Sequence, residues 1–164
     1  MWIALKNAWL AHMILGNPLG PRDSRILIED SVIANVGAFR QVEPTAAEAG
    51  GILLGFRRDT HLHIAMATPP GPLDRRSKFH FYRAGEFHAQ IALSQWAKTQ
   101  ETMDYVGEWH THPEDYPQPS ALDLREWRQI CRRRNEPMVF VIQGILDRWI
   151  GIGLDRDIKV SAAI

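Results

Sequence analysis

The sequence predicts a single α/β domain in which helices pack against a mixed sheet. Three observations lead there. The 164 residues, 45% of them hydrophobic, suffice to bury one proper core and are too few for two large ones. Short runs rich in Val, Ile, Leu and Phe alternate with stretches whose apolar residues recur at three- and four-residue intervals. After a first short strand the order is helix, strands, helix, strand, helix, strands, which suits a mixed sheet with helices laid on it.

The elements follow in order. Met1 to Leu15 is apolar, yet Lys6, Asn7 and His12 interrupt every candidate signal core, and the run is too short to span a bilayer. It reads as an appended strand or helix, or as an interaction arm, so residues 1–24 are set apart from a domain at 25–164. Gly16 to Asp23 is a turn-rich linker, and Arg25 to Ile28 reads as a strand. Glu29 to Ser31 offers caps for a helix whose Val32, Ile33, Val36 and Phe39 share one face, and Pro44 closes that helix. Glu48 to Phe56 (EAGGILLGF) is a buried strand; Gly50, Gly51 and Gly55 mark either a bulge or a close approach of backbone or ligand. His61 to Thr68 is its pairing partner. Pro69 to Lys78 is a loop carrying Arg75, Arg76 and Lys78, either a solvated cluster or the lining of a groove that grips an acidic or extended polypeptide tail. Phe79 to Tyr82 is a strand, and Glu86 to Glu101 a helix with Phe87, Ile91, Ser94, Trp96 and Ala97 as its apolar stripe. Tyr105 to His112 is a strand that Pro113 ends. The loop that follows is stiffened by Pro113, Pro117 and Pro119. Ser120 to Arg134 is helical, with Ser120 as N-cap and Asp123 where a capping box places its acid. Pro137 to Gln143, Arg148 to Asp155 and Asp157 to Ala163 complete the strands.

Composition excludes several classes of partner. Nineteen basic residues balance nineteen acidic ones, so no general field draws the chain to nucleic acid or to an anionic membrane. A single cysteine, Cys131, rules out an internal disulfide and a cysteine-rich zinc cluster, and it is compatible with a reducing cytoplasm.

The informative stretch is GEWHTHPEDYPQPSALDLREW, Gly107 to Trp127. His110 and His112 are one residue apart on an extended segment, so both imidazoles point to the same side. Ser120 and Asp123 stand three apart at a helix start and share a face. Two neutral nitrogens and one carboxylate make a three-ligand set for a divalent ion, with a fourth position open, the catalytic rather than the structural arrangement. Such a site also needs a base and an oxyanion donor. Ser120 fits the donor. Glu108, on the strand face of His110, is one carboxylate that spacing alone allows as base or ligand. Glu114 and Asp115 are near the histidines only in sequence. A capping box by itself would explain Ser120 and Asp123, but not the two histidines upstream. His61 and His63 form a second H-x-H with no carboxylate following at helical spacing, so no metal is assigned to them. Trp109 points opposite to its histidine neighbours and packs inward.

Glu48 in EAGGILLG together with HTHPEDYPQPSALD resembles the JAMM (MPN-plus, JAB) metallopeptidases, whose pattern is a glutamate ahead of a glycine-leucine strand and then H-x-H, a spacer and S-x-x-D. The likeness spans roughly Arg25 to Asp155. EAGGILLGF, GPLDRRSKF and YVGEWHTHPE look most like the bacterial branch that includes the deconjugating peptidases of CBASS antiphage operons. The resemblance implies a cytidine-deaminase-like fold, a Zn2+ ion on His110, His112 and Asp123, Glu48 as general base, and Ser120 as oxyanion stabiliser. It implies a substrate joined through the C-terminal tail of a cGAS-like nucleotidyltransferase by ubiquitin-type conjugation. A bacterial ubiquitin-like protein as the carrier, or a non-catalytic scaffold, are the alternatives.

Overall fold

The computed structural model describes residues 12–162. The part of the N-terminal stretch at 1–11, and the end of the last strand expectation at residues 163–164, lie outside them. Eight strands form one sheet in the order β1(His12–Gly16), β2(Arg25–Glu29), β4(His61–Ala67), β3(Gly50–Arg58), β7(Asp104–Thr111), β8(Met138–Gln143), β9(Arg148–Leu154), β10(Asp157–Val160). The pairs β2–β4 and β7–β8 are parallel and the rest antiparallel. The sheet is therefore mixed, as the element order requires. It also curls: the Gly16 N–H on the first strand donates to the Ala162 carbonyl beyond the last, at 3.0 Å.

Both faces of the central strands are covered, which is why they read as continuous apolar runs. Along β8 the side chains alternate between two cores. Val139 and Val141 join the cluster under α1(Asp30–Gly37) with Ile26, Ile28, Val32, Val36 and Leu53. Met138, Phe140 and Ile142 join Trp127 and Cys131 of α3(Ala121–Arg134). Trp127 stacks between Phe140 and Trp149, with ring centroids at 4.5 and 5.5 Å. Trp109 is buried as expected, packed on Phe39, and its Nε1 donates to the Thr68 carbonyl at 3.0 Å.

Both readings of the β3 glycines hold. The register of β3 against β4 shifts between Leu54 and Gly55, and a Cβ on Gly55 would run into the His63 carbonyl of β4. Two differences from the sequence expectations have physical causes. Arg75 to Ser77 is not plain loop but strand β5(Arg75–Ser77), in a hairpin with β6(His80–Tyr82); three exposed polar residues carry no periodic signal and become a strand only through pairing. The helix α2(Gly85–Lys98) buries His88, packs Ile91 and Ala92 against the cluster of Ile52, Leu54 and Met103, and leaves Leu93 and Trp96 exposed, so its inner face is rotated from the predicted stripe. That face is set by a polar anchor that periodicity cannot see. Thr68 Oγ1 lies 2.7 Å from His88 Nδ1, and His88 Nε2 lies 3.1 Å from Asp74 Oδ2, all three residues being drawn into the interior. His61 and His63, to which the sequence assigned no metal, take separate partners: the His61 ring accepts the Arg25 N–H and His63 pairs with Glu29. No helix among the described residues is long and apolar enough to cross a membrane.

Candidate metal centre

Strand β7 runs antiparallel to β3 and parallel to β8, so its C-terminal end is fixed from both sides. His110 sits in the last turn of pleat, and His112 follows where the chain leaves the strand, its N–H held by the Gln143 carbonyl at 3.0 Å. Alternation brings the rings together: the two Nε2 atoms are 3.0 Å apart. The proline-bearing loop is docked rather than free, because Ile145 N–H bonds the Glu114 carbonyl at 2.7 Å and Asp147 N–H bonds that of Asp115 at 3.0 Å. It delivers the chain to α3, whose first turn is closed by the expected capping box: Asp123 N–H donates to Ser120 Oγ at 3.1 Å and Ser120 N–H to Asp123 Oδ2 at 2.7 Å. The Ser120 hydroxyl also donates to Asp123 Oδ2, at 2.6 Å.

The carboxylate so placed faces both histidines, with Asp123 Oδ1 at 3.4 Å from His110 Nε2 and Oδ2 at 3.5 Å from His112 Nε2. One donor atom from each residue falls within 4.8 Å of the others. A tetrahedral ion with bonds of about 2.0–2.2 Å separates its donor atoms by about 3.3–3.6 Å. The carboxylate oxygens lie in that range, Oδ1 from His110 at 3.4 Å and Oδ2 from His112 at 3.5 Å, and the two imidazole nitrogens at 3.0 Å are slightly closer, so the three side chains stand near the spacing that one divalent ion requires. His110, His112 and Asp123 are the residues that could hold it.

The electrostatics agree with that use. Burial alone would raise the Asp123 carboxyl, but hydrogen bonds to His110, His112 and Ser120 bring it well below the usual carboxylate range. Burial would lower the His112 imidazole, and the Asp123 carboxylate reverses this, so His112 is raised. Glu48 is only 7% exposed and lines the same cleft, just ahead of β3. Burial pushes its carboxyl from 4.5 up to about 7, against the opposing pull of the His112 charge. Glu114 comes nearer than sequence suggested, yet its carboxylate is 3.8 Å from His112 Nδ1, outside hydrogen-bond range, and half exposed.

From these residues a cleft of about 730 Å³ runs between the β5–β6 hairpin and α3. Phe79, Phe81 and Tyr82 form one wall and Leu122, Trp127 and Ile130 the other. Its floor is a polar pairing missed from the sequence: Arg83 forms an ion pair with Glu108, and the Tyr105 hydroxyl donates to Glu108 Oε1 at 2.9 Å. Glu108 is thus committed to its neighbours. Of the basic loop residues, Arg75 stacks on Tyr82, Lys78 lies over Phe79, and Arg76 turns away to donate to the Glu48 carbonyl at 2.6 Å. The cations on the cleft lining are Arg83, Arg133 and Arg134.

The solution structure of a Desulfitobacterium hafniense protein superimposes with a TM-score of 0.58 over 81% of this chain and 87% of that one, at 20% identity, a likeness of fold. Three curated relatives are closer in sequence. A protein of Escherichia coli is 37% identical over 84% of this chain and 87% of its own length. One of Pseudomonas aeruginosa is 41% identical over 74% and 80%. One of Vibrio cholerae is 35% identical over 79% and 82%. Each is named a CD-NTase/cGAS isopeptidase. The model of the prokaryotic homologues of the JAB domain matches residues 37–150, which contain Glu48, both histidines, Ser120 and Asp123. This chain is accordingly a member of the Prok-JAB family.

Proposed function

We propose that the protein is a zinc-dependent isopeptidase that cleaves conjugates made through the C-terminal tail of a CD-NTase (cGAS-like nucleotidyltransferase), reversing a ubiquitin-type modification in the cytoplasm as part of CBASS antiphage defence. The observation that carries the chemistry is the convergence of His110, His112 and Asp123 at one-ion spacing beside a buried carboxylate. The names of the three relatives, each aligned over most of both chains, support the substrate.

His110, His112 and Asp123 would hold the ion, which supplies a Lewis acid that polarises a carbonyl and makes water nucleophilic near neutral pH. Glu48 is the general base. Its carboxyl, poised near neutrality by burial, can take a proton from the attacking water and hand it to the leaving amine. A cation bound nearby draws that value down and favours the proton-accepting form. Glu108, the other carboxylate on this face, is tied up by Arg83 and Tyr105, which favours Glu48 over it. Ser120 is the oxyanion donor: a hydroxyl can swing its proton from Asp123 to a substrate oxygen without moving its own oxygen. The cleft, apolar on both walls with arginines at its floor and far end, suits an extended polypeptide, aromatic rings lying along the chain and guanidinium groups reaching its carbonyls.

The test is zinc stoichiometry together with cleavage of a fusion carrying the tail of the companion nucleotidyltransferase. One zinc per chain and cleavage that Glu48→Ala abolishes while retaining zinc are expected. Equal cleavage by Glu48→Ala overturns the assigned base.

A further inference from the structure

The parts of the site come from stretches far apart in the chain: Glu48 ahead of β3, the histidines at the end of β7, and the hairpin that walls the cleft. A buried pair of polar side chains joins all three. Thr111, between the two histidines, points to the opposite side of the strand and is fully buried. Its Oγ1 accepts the Ala49 N–H at 2.9 Å and donates to Gln41 Oε1 at 2.9 Å. Gln41 is itself 2% exposed, and its Nε2 donates to the carbonyls of Ala46 at 3.0 Å and Lys78 at 2.9 Å. Both amide protons and the hydroxyl proton are used, so the network is saturated. Its ends are the residue after Glu48, the segment before it, and the turn of the β5–β6 hairpin. Arg76 and Ser77 of β5 add a brace: Arg76 donates to the Glu48 carbonyl, and the Glu48 N–H donates to the Ser77 carbonyl at 2.8 Å.

We propose that Gln41 and Thr111 are positioning residues for catalysis: they hold Glu48 in register with His110 and His112 and tie that register to the wall of the cleft. This rests on Glu48 being the general base, as proposed above. Neither side chain lines the cleft, so neither touches substrate. Their action is through the backbone on either side of Glu48. A saturated buried network is stiff, and a base works only within a few tenths of an ångström of its proton. Thr111 serves the site twice, since the same strand residue that separates the ligands carries the hydroxyl that locates the base.

The experiment uses the full-length zinc-loaded protein and the tail conjugate, with kcat expressed per bound zinc. Thr111→Val removes the hydroxyl at constant shape, Gln41→Met removes the amide, and Thr111→Ser keeps the hydroxyl. Thr111→Val and Gln41→Met are expected to lower kcat about tenfold to a hundredfold, with KM within about twofold and zinc retained. Thr111→Ser is expected to restore kcat. The double variant should be no slower than the slower single, because the two residues act as one link. Unchanged kcat per zinc in both singles, even with a lower melting temperature, reduces the pair to a structural role and overturns the proposal. Multiplicative losses in the double variant, or losses that follow zinc content, also overturn it. Should Thr111→Val not fold, Gln41→Met cuts the same link from the far end and leaves Ala49 its hydroxyl acceptor. Glu48→Gln run alongside separates the two failures. If it stays active, the assignment of the base falls; if it is inactive while Thr111→Val and Gln41→Met turn over normally, only the positioning role falls.

Discussion

At Glu48, the proposed general base, stability and activity are expected to pull in opposite directions. A carboxyl raised from 4.5 to about 7 by burial is protonated more readily in the folded protein than in the unfolded one. Its contribution to stability is therefore intact below about pH 4.5 and is lost as pH rises through about 7. Metal-free Glu48→Gln is expected to be more stable than the parent at pH 8 by about 1 kcal/mol, after discounting for water at the cleft, and to converge with it near pH 5. Urea unfolding at the two pH values checks this, and the same variant should be inactive with zinc. Ser120→Ala is expected to lose about 10²–10³ in kcat if its hydroxyl is the oxyanion donor, and to lose about 1 kcal/mol of stability as a cap. Steady-state kinetics beside thermal melting distinguishes the two losses. The proposed metal ligands were legible because their geometry is local: strand alternation sets His110 beside His112, and a capping box sets Asp123 in the first turn. The polar pairs around them were not. Thr111 and Gln41 are 70 positions apart, and no local rule joins them.

Among the elements, α3 carries the most. Its N-terminus presents Asp123 while its middle is locked by Trp127 between Phe140 and Trp149, and the His110 ring leans on Trp127 at 5.8 Å. Trp127→Ala is expected to cost about 3–5 kcal/mol and to weaken zinc binding as well, because the cavity frees both ligand-bearing elements at once. Calorimetry and zinc titration would show the two effects together. The helix was readable from its capping box. The hairpin was only half readable, because β5 has no apolar alternation and exists through its pairing with β6. β1 shows a similar dependence: the apolar N-terminal run reads equally as strand or helix, and pairing with β2 decides for His12–Gly16. The assignment of residues 1–24 as a separable arm is tested by truncation. Removing residues 1–16 strips β1 from the sheet edge and should lower the melting temperature by several degrees.

For the whole molecule, fold class followed from the alternation of periods, but strand order did not. Placing β4 between β2 and β3, and β7 between β3 and β8, depends on long-range burial of both sheet faces. The one hint was the unbroken apolar run of β8, whose six residues are all buried. That order brings Glu48 and the histidine strand together, since β3 and β7 are neighbours although Gly50 and His110 stand sixty positions apart in sequence. Removing zinc with a chelator should abolish activity and lower the melting temperature, and added zinc should restore both, as an ion bound only by the folded state requires. The central claim is that these parts make an isopeptidase specific for a nucleotidyltransferase tail, and mass spectrometry of the products is its most direct measurement. Incubation of a tail–lysine conjugate with the zinc-loaded protein should yield two products, the nucleotidyltransferase with its C-terminal carboxylate complete and the target with a free lysine amine, and none with Glu48→Gln. An uncut conjugate, or a cut elsewhere in the tail, would contradict it.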